Sequence, residues 1–251
     1  MSESQAENYP YYEDINWGLL RLWAGRKNLQ VLDVGCGFAT TSERIQALGN
    51  QVTGIEGSPT AVAVAKSRLE RVIPMDLQDI ENLSQILGGV KFDALIFADV
   101  LEHLATPEAV LKSYLPWVRP GGTVLVSLPN VGLWSVRLSH LFGNWNYTDT
   151  GVLDRTHLRF FTFNSARSLL RKAGVVLVKT TANPGLVRPF IPLIKRYCLP
   201  NDNLQEHDPQ GLLKSRSYQT YLNLVYPIER ILAGVWPPGL AFQMIFEGTV
   251  P

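Results

Sequence analysis

The stretch "VLDVGCGFATTS" at residues 31–42 constrains the fold more than any other part of the chain. A short, mostly apolar run leads directly into Gly35 and Gly37, which are separated by one residue. This reads as a buried strand turning tightly into a helix, because glycine adopts the left-handed backbone that such a turn needs. The helix reads over residues 40–48, with Ile45 and Leu48 on its inner face. The unit then repeats. "QVTGIEGS" reads as a strand ending at Glu56, and Ser58 caps a helix that has Pro59 in its first turn. "RVIPMD" is a short third strand and "FDALIFADV" a fourth, without polar alternation, as expected of a strand covered on both faces. A helix runs from Pro107 to Leu115, "RPGG" reads as a turn, and "TVLVSLP" is the next strand. Strand and helix alternating over short connections imply an open, mostly parallel α/β sheet.

After Pro129 the pattern changes. Residues 130–161 are rich in Trp, Tyr, Asn, Gly and His, which is too long for an ordinary connection and reads as a functional insertion. A helix over 164–173 ends at Gly174, "VVLVKTT" is a strand, and residues 183–217 form a Pro-rich, irregular insertion. Residues 218–235 read as helical, divided or bent at Pro227, and "LAFQMIFEG" is the final strand. The expected organisation is a single domain over 1–251, with a helical, aromatic extension at 1–28.

Lys plus Arg is 23 and Asp plus Glu is 22, so the net charge is +1, which argues against a dedicated nucleic-acid binder. The glycine turn narrows the ligand. A dinucleotide fingerprint needs a third glycine where Thr40 stands. Asp33, directly before the glycines, would oppose a pyrophosphate at short range and suits a cationic or zwitterionic ligand. Glu56, 23 residues after Asp33, can accept both hydroxyls of a ribose. A nucleoside carrying an ammonium and a sulfonium fits both carboxylates.

As a set, "VLDVGCGFA", "VTGIEGS", "MDLQDI", "FDALIFADVLEHL", "PGGTVLVSLPNV" and "LDRTHLRFFT" resemble the successive motifs of class I S-adenosylmethionine-dependent methyltransferases. They are most similar to the branch found in bacterial polysaccharide and natural-product gene clusters. The resemblance covers residues 31–181 and implies a Rossmann-like seven-stranded α/β sheet, mostly parallel, in order 3-2-1-4-5-7-6. The last strand would be antiparallel, with helices on both faces. By the same resemblance S-adenosylmethionine is the cofactor. Asp33, Gly35 and Gly37 would surround its methionine part, and Glu56 would hold the ribose. Gly57 and Ser58 would flank the adenosine, Asp76 and Leu77 would meet the adenine, and Asp99 would lie near the methionine end.

Methyl transfer to oxygen or nitrogen requires an aligned acceptor and often a base. His103, in "DVLEHL", and His157, in "DRTHLRFF", are the candidates, and the residues alone do not choose between them. Asp154 is placed to orient His157, and Arg155 and Arg159 flank it, which should loosen its proton. The cofactor supplies the electrophile, so no metal is expected. Beside Glu102 and His103 only Asp99 could complete a cation site. Cys36 reads as a small residue fitted into the turn, not as a nucleophile.

The expected acceptor is a small molecule or glycan, with O-methylation of a saccharide as the first reading. The alternatives are N-methylation of an amino sugar, O-methylation of a small aromatic or isoprenoid compound, and a cofactor-binding protein that has lost transfer. No run is long and apolar enough for a membrane span, and no signal peptide is recognisable, so a soluble cytoplasmic protein is expected. Apolar and basic residues in "GLVRPFIPLIKRY" leave room for weak peripheral membrane contact, but that segment is expected chiefly to cover the acceptor pocket. The oligomeric state is not legible.

Overall fold

A computed structural model describes residues 15–187 and 220–251. Its centre is a seven-stranded sheet in the order β3-β2-β1-β4-β5-β7-β6. The strands are β1 (Gln30–Val34), β2 (Gln51–Glu56), β3 (Arg71–Pro74), β4 (Phe92–Ala98), β5 (Val118–Pro129), β6 (Val176–Pro184) and β7 (Ala241–Thr249). Pairings among β1 to β5 are parallel, whereas β7 runs antiparallel between β5 and β6. The strand order and the antiparallel last strand are as the family resemblance implies.

Alternate side chains feed two cores. Leu32 and Val34, Leu95 and Phe97, and Val124 and Val126 belong to one. Val31, Ala94, Ile96 and Leu125 belong to the other. A strand must be apolar on both sides to do this, which explains the unbroken "ALIF" of β4. The first core is covered by α4 (Leu83–Leu87), α5 (Pro107–Tyr114) and α7 (Phe163–Ala173). The second is covered by α1 (Trp17–Trp23), α2 (Thr40–Ala47) and α3 (Pro59–Ala65). α7 shows how local signals fix an element. Thr162 and Ser165 form a reciprocal cap, Phe163, Ala166, Leu169, Leu170 and Ala173 face inward, and Gly174 stops the helix at φ +103°.

Three local expectations change and a fourth holds. "RPGG" is a bulge inside one long strand: Phe92 pairs with Val118 and Ala94 with Thr123, so residues 119–122 oppose Asp93 alone. The insertion at 130–161 contains a helix, α6 (Trp134–Leu141). Asn183 and Pro184 belong to β6 instead of to an irregular segment. Pro227 does divide the last helical stretch. A π turn (Tyr221–Val225) precedes α8 (Tyr226–Val235), because a proline in the first turn cannot donate back to the preceding turn. α9 (Pro237–Leu240) then leads into β7. Most of "GLVRPFIPLIKRY" lies outside the described residues.

Candidate active site

The site forms where the parallel strands end. Three residues between β1 and α2 take left-handed backbone: Gly35 (φ +75°), Gly37 (φ +54°) and Ala39 (φ +58°). Gly35 is required twice over, since a Cβ there would also lie 2.5 Å from Val100 Cγ2. The turn directs the Gly37 N–H at Glu56, which accepts it at 2.9 Å on one carboxylate oxygen. The other oxygen accepts the Ser58 N–H at 2.8 Å. Glu56 is thus buried and clamped by backbone donors from two loops. Ser58 caps α3, and the Met75 N–H donates to the Glu56 carbonyl, which brings the end of β3 alongside. A Cβ on Gly57 would lie 3.4 Å from the Met75 carbonyl. Asp76 is exposed and accepts the Gln78 N–H, bending the chain so that Leu77 offers its carbonyl to Tyr114 Oη at 3.2 Å.

Asp33 is buried beneath this turn. One carboxylate oxygen accepts from Ser42 Oγ, while Oδ1 is buried without a hydrogen-bond partner. Burial pushes its carboxyl up to about 6, with the Ser42 hydrogen bond pulling down and Glu56 adding a smaller upward push. A buried acceptor lacking a donor is costly, and an ammonium group would satisfy it. Cys36 is held as a thiol: burial, then the charges of Asp33 and Glu56, push it far up. Nucleophilic chemistry there is accordingly disfavoured.

Asp99 follows β4 at φ +56°, donates its N–H to the Ser127 carbonyl at 3.1 Å, and accepts from Gln243 Nε2. Gln243 belongs to a polar network that sequence reading missed. Asn183 Nδ2 donates to Gln243 Oε1 and to Asn16 Oδ1, Asn16 Nδ2 donates to Ser127 Oγ, and Arg21 donates to Asn183 Oδ1. Its members come from α1 and its cap, β5, β6 and β7, so no sequence spacing could have shown it.

The two histidines meet. Their rings cross edge to face with centroids 4.8 Å apart. His157 Nδ1 lies 3.2 Å from the Val152 carbonyl. His103 Nδ1 lies 3.3 Å from the Thr156 carbonyl and 3.2 Å from Thr156 Oγ1, whose own proton goes to Asp154 at 2.7 Å. A carbonyl only accepts, so both Nδ1 atoms carry the proton and both Nε2 atoms present a lone pair. Burial lowers both: His103 falls to about 4, helped by His157, and His157 also falls. Both rings are therefore neutral at pH 7.

Three expectations about this region are corrected. Asp154 orients Thr156, and through it His103, instead of His157. Arg155 pairs with Asp149 at 2.6 Å, and Arg159 donates to the Ala105 carbonyl, so burial and not these cations lowers His157. His157, not Asp99, joins Glu102 and His103: one ligand atom from each of these three residues lies within 4.8 Å of the others. Glu102 is buried, its Oε2 has no hydrogen-bond partner, and burial followed by Asp99 and Asp154 raises its carboxyl well above the usual range. The cluster can hold a neutral acid beside two basic nitrogens, or bind a cation once that proton leaves.

An aromatic ladder rises from His157. Phe160 lies 6.1 Å away, Trp145 5.3 Å from Phe160, and Tyr147 6.2 Å from Phe160, by ring centroids.

With this geometry in hand, comparison with known proteins is decisive about family. Residues 9–180 match the family model described as a methyltransferase domain. The chain belongs to that family. It is 29% identical over 152 residues to the ubiquinone biosynthesis O-methyltransferase of Cereibacter sphaeroides (strain ATCC 17029), covering 59% of this chain and 61% of that one. A relative of the same name from Xanthomonas campestris pv. campestris (strain B100) is 38% identical over 104 residues, 40% of this chain and 43% of its own. The match therefore spans about three fifths or less of these curated relatives. The fold aligns with a SAM-dependent methyltransferase from Archaeoglobus fulgidus at TM-score 0.56 and 15% identity, over 92% of this chain and 91% of that one. By fold the chain resembles S-adenosylmethionine-dependent methyltransferases. The unpartnered Asp33 oxygen and the clamped Glu56 carboxylate fit that cofactor's ammonium and diol. Among the described residues no helix is long and apolar enough to cross a membrane.

Proposed function

We propose that this methyltransferase methylates a hydroxyl of a small aromatic or isoprenoid acceptor, with His157 as the base. The observation that carries this reading is the neutral histidine pair at the foot of the aromatic ladder. A planar apolar acceptor lying along Phe160 and Trp145 would bring its hydroxyl to His157 Nε2. The curated relatives, whose names specify O-methylation in ubiquinone biosynthesis, support this acceptor class over a saccharide.

In this reading Glu56 binds the ribose hydroxyls and Asp33 the ammonium. The 35–37 turn carries the methionine part, Gly57 and Ser58 flank the adenosine, Asp76 and Leu77 bind the adenine, and Asp99 borders the methionine end. When bound, the cofactor supplies an electrophilic methyl group. His157 removes the acceptor proton at Nε2, and the Val152 carbonyl fixes its tautomer throughout. Burial keeps its ring neutral until the acceptor arrives, with the His103 ring edge to face against it. Asp154, whose charge favours the protonated ring, stabilises the imidazolium once formed.

The test is a screen of purified protein against catechols, hydroxylated prenyl phenols, sugar nucleotides and amino sugars, read by S-adenosylhomocysteine release. Turnover on the phenols supports the proposal, and turnover on saccharides alone sinks it. A second reading rests on the same cluster: a divalent cation held by Glu102, His103 and His157 would activate the acceptor hydroxyl directly. Chelation that abolishes turnover, with rescue by one added metal, would select it over His157 as base.

A further inference from the structure

α8 inverts the usual pattern of a surface helix. Its buried residues are Glu229 and Ala233, whereas Ile228, Ile231, Leu232 and Val235 are between 40% and 79% exposed. Their spacing places all four on the side turned away from the sheet. The inward Glu229 is not misplaced, since it accepts the Val187 N–H and the Tyr221 hydroxyl. Leu224 and Trp236 extend the apolar stripe beyond both ends of the helix.

The surroundings are basic. Over residues 163–187 and 220–242 the cations are Arg167, Arg171, Lys172, Lys179 and Arg230, and the one acid is the buried Glu229. Between α7, β6 and α8 opens a cleft of about 200 Å³. Arg167, Arg230, Thr180 and Thr181 line it, and among the described residues no carboxylate does. Arg167 is braced over the Phe163 ring at 5.6 Å. None of these residues belongs to the cofactor or histidine sites.

We propose that this face docks on an anionic lipid bilayer, with the α8 stripe among the acyl chains and the Arg167–Arg230 cleft taking a headgroup phosphate. Charge and apolarity together select this occupant. A two-fold pairing of copies through this face would bring the Arg167–Arg230 clefts of both copies to one interface, cation against cation. A free phosphate would use the cleft but leave the stripe in water. An anionic membrane surface satisfies both. The proposal does not depend on which acceptor is methylated.

Co-sedimentation of the full chain with phosphatidylcholine vesicles, with and without phosphatidylglycerol, tests it. Binding to the anionic vesicles should be about tenfold stronger at low salt, and weaker at physiological salt. Replacing both Ile231 and Val235 with Asp should cut that binding at least about tenfold. Arg167→Ala with Arg230→Ala should cut it about tenfold and erase the headgroup preference. S-adenosylmethionine affinity, measured in parallel, should stay unchanged in both double variants and so show that they fold. Equal binding to neutral and anionic vesicles would overturn the proposal, as would binding to neither. A dimer in sedimentation velocity that the Asp variant dissolves would assign the face to a second copy. Calorimetric binding of inorganic phosphate without vesicle binding would reduce the cleft to a small-anion site.

Discussion

The two halves of the site are built differently. Around Glu56 the parts are near in sequence and the donors are backbone N–H groups: 19 residues separate Gly37 from Glu56, and two separate Glu56 from Ser58. Around His157 they are distant side chains, with His103 and Thr156 53 residues apart. Backbone donors are fixed once the strand–turn–helix unit forms. The histidine pair exists only after the 130–161 insertion folds back across the end of β4. The first half should therefore tolerate changes in the second, and each prediction below tests that independence.

The largest effect is expected at His157. His157→Ala should lower kcat by about 10²–10⁴ and leave cofactor affinity in place. A matching loss of cofactor affinity in calorimetry would show that the halves are coupled. Next comes Glu56→Ala, which removes the clamp on Gly37 and Ser58 as well as the ribose acceptor. Cofactor binding should weaken by about 10- to 100-fold, with circular dichroism unchanged.

The pH dependence separates the halves without a mutation. Asp33 is raised from the ordinary 3.8 to about 6. Its contribution to the stability of the cofactor-free protein is therefore complete below pH about 4 and lost as pH rises through about 6. A bound ammonium needs the carboxylate form, so cofactor affinity should fall by about tenfold per unit as pH drops below about 6. His103, at about 4, stays neutral across that window, so kcat at saturating cofactor should hold nearly level from pH 7 to 5.5 if His157 stays neutral too. Asp33→Asn should flatten the affinity profile, and a profile that keeps its slope would move the titration to another group. The smallest effect is expected for Thr156→Val, which removes the hydroxyl between Asp154 and His103. A loss of about three- to tenfold in kcat, with unchanged cofactor KM, is the expected reading.

The legibility of the sequence follows the same division. The strand positions, the glycine turn and Glu56 could be read because each depends on short-range pattern: buried runs, left-handed backbone, and a carboxylate at a strand end. The strand order came from the family resemblance. Both histidines were recognisable as residue types, but their meeting was not. Nor could the sequence give the true partners of Asp154 and Arg155, since these are decided by how a 32-residue insertion packs. The Asn16–Ser127–Asn183–Gln243 network was equally hidden, because ordinary polar residues carry no signal until the sheet aligns them.

The place of β7 bears on how the protein is made. β7 pairs with both β5 and β6, yet more than a hundred residues of chain separate Pro129 from Ala241. At translation speeds of about 5–20 residues per second, the ribosome takes roughly 6–20 s to deliver the missing strand. During that time β5 and β6 have no shared neighbour, and the apolar edge of β5 is open to other nascent chains. Gln243 is still absent, so Asp99 lacks that partner while the glycine turn is already assembled. The newborn chain can therefore acquire its cofactor cradle well before its sheet closes.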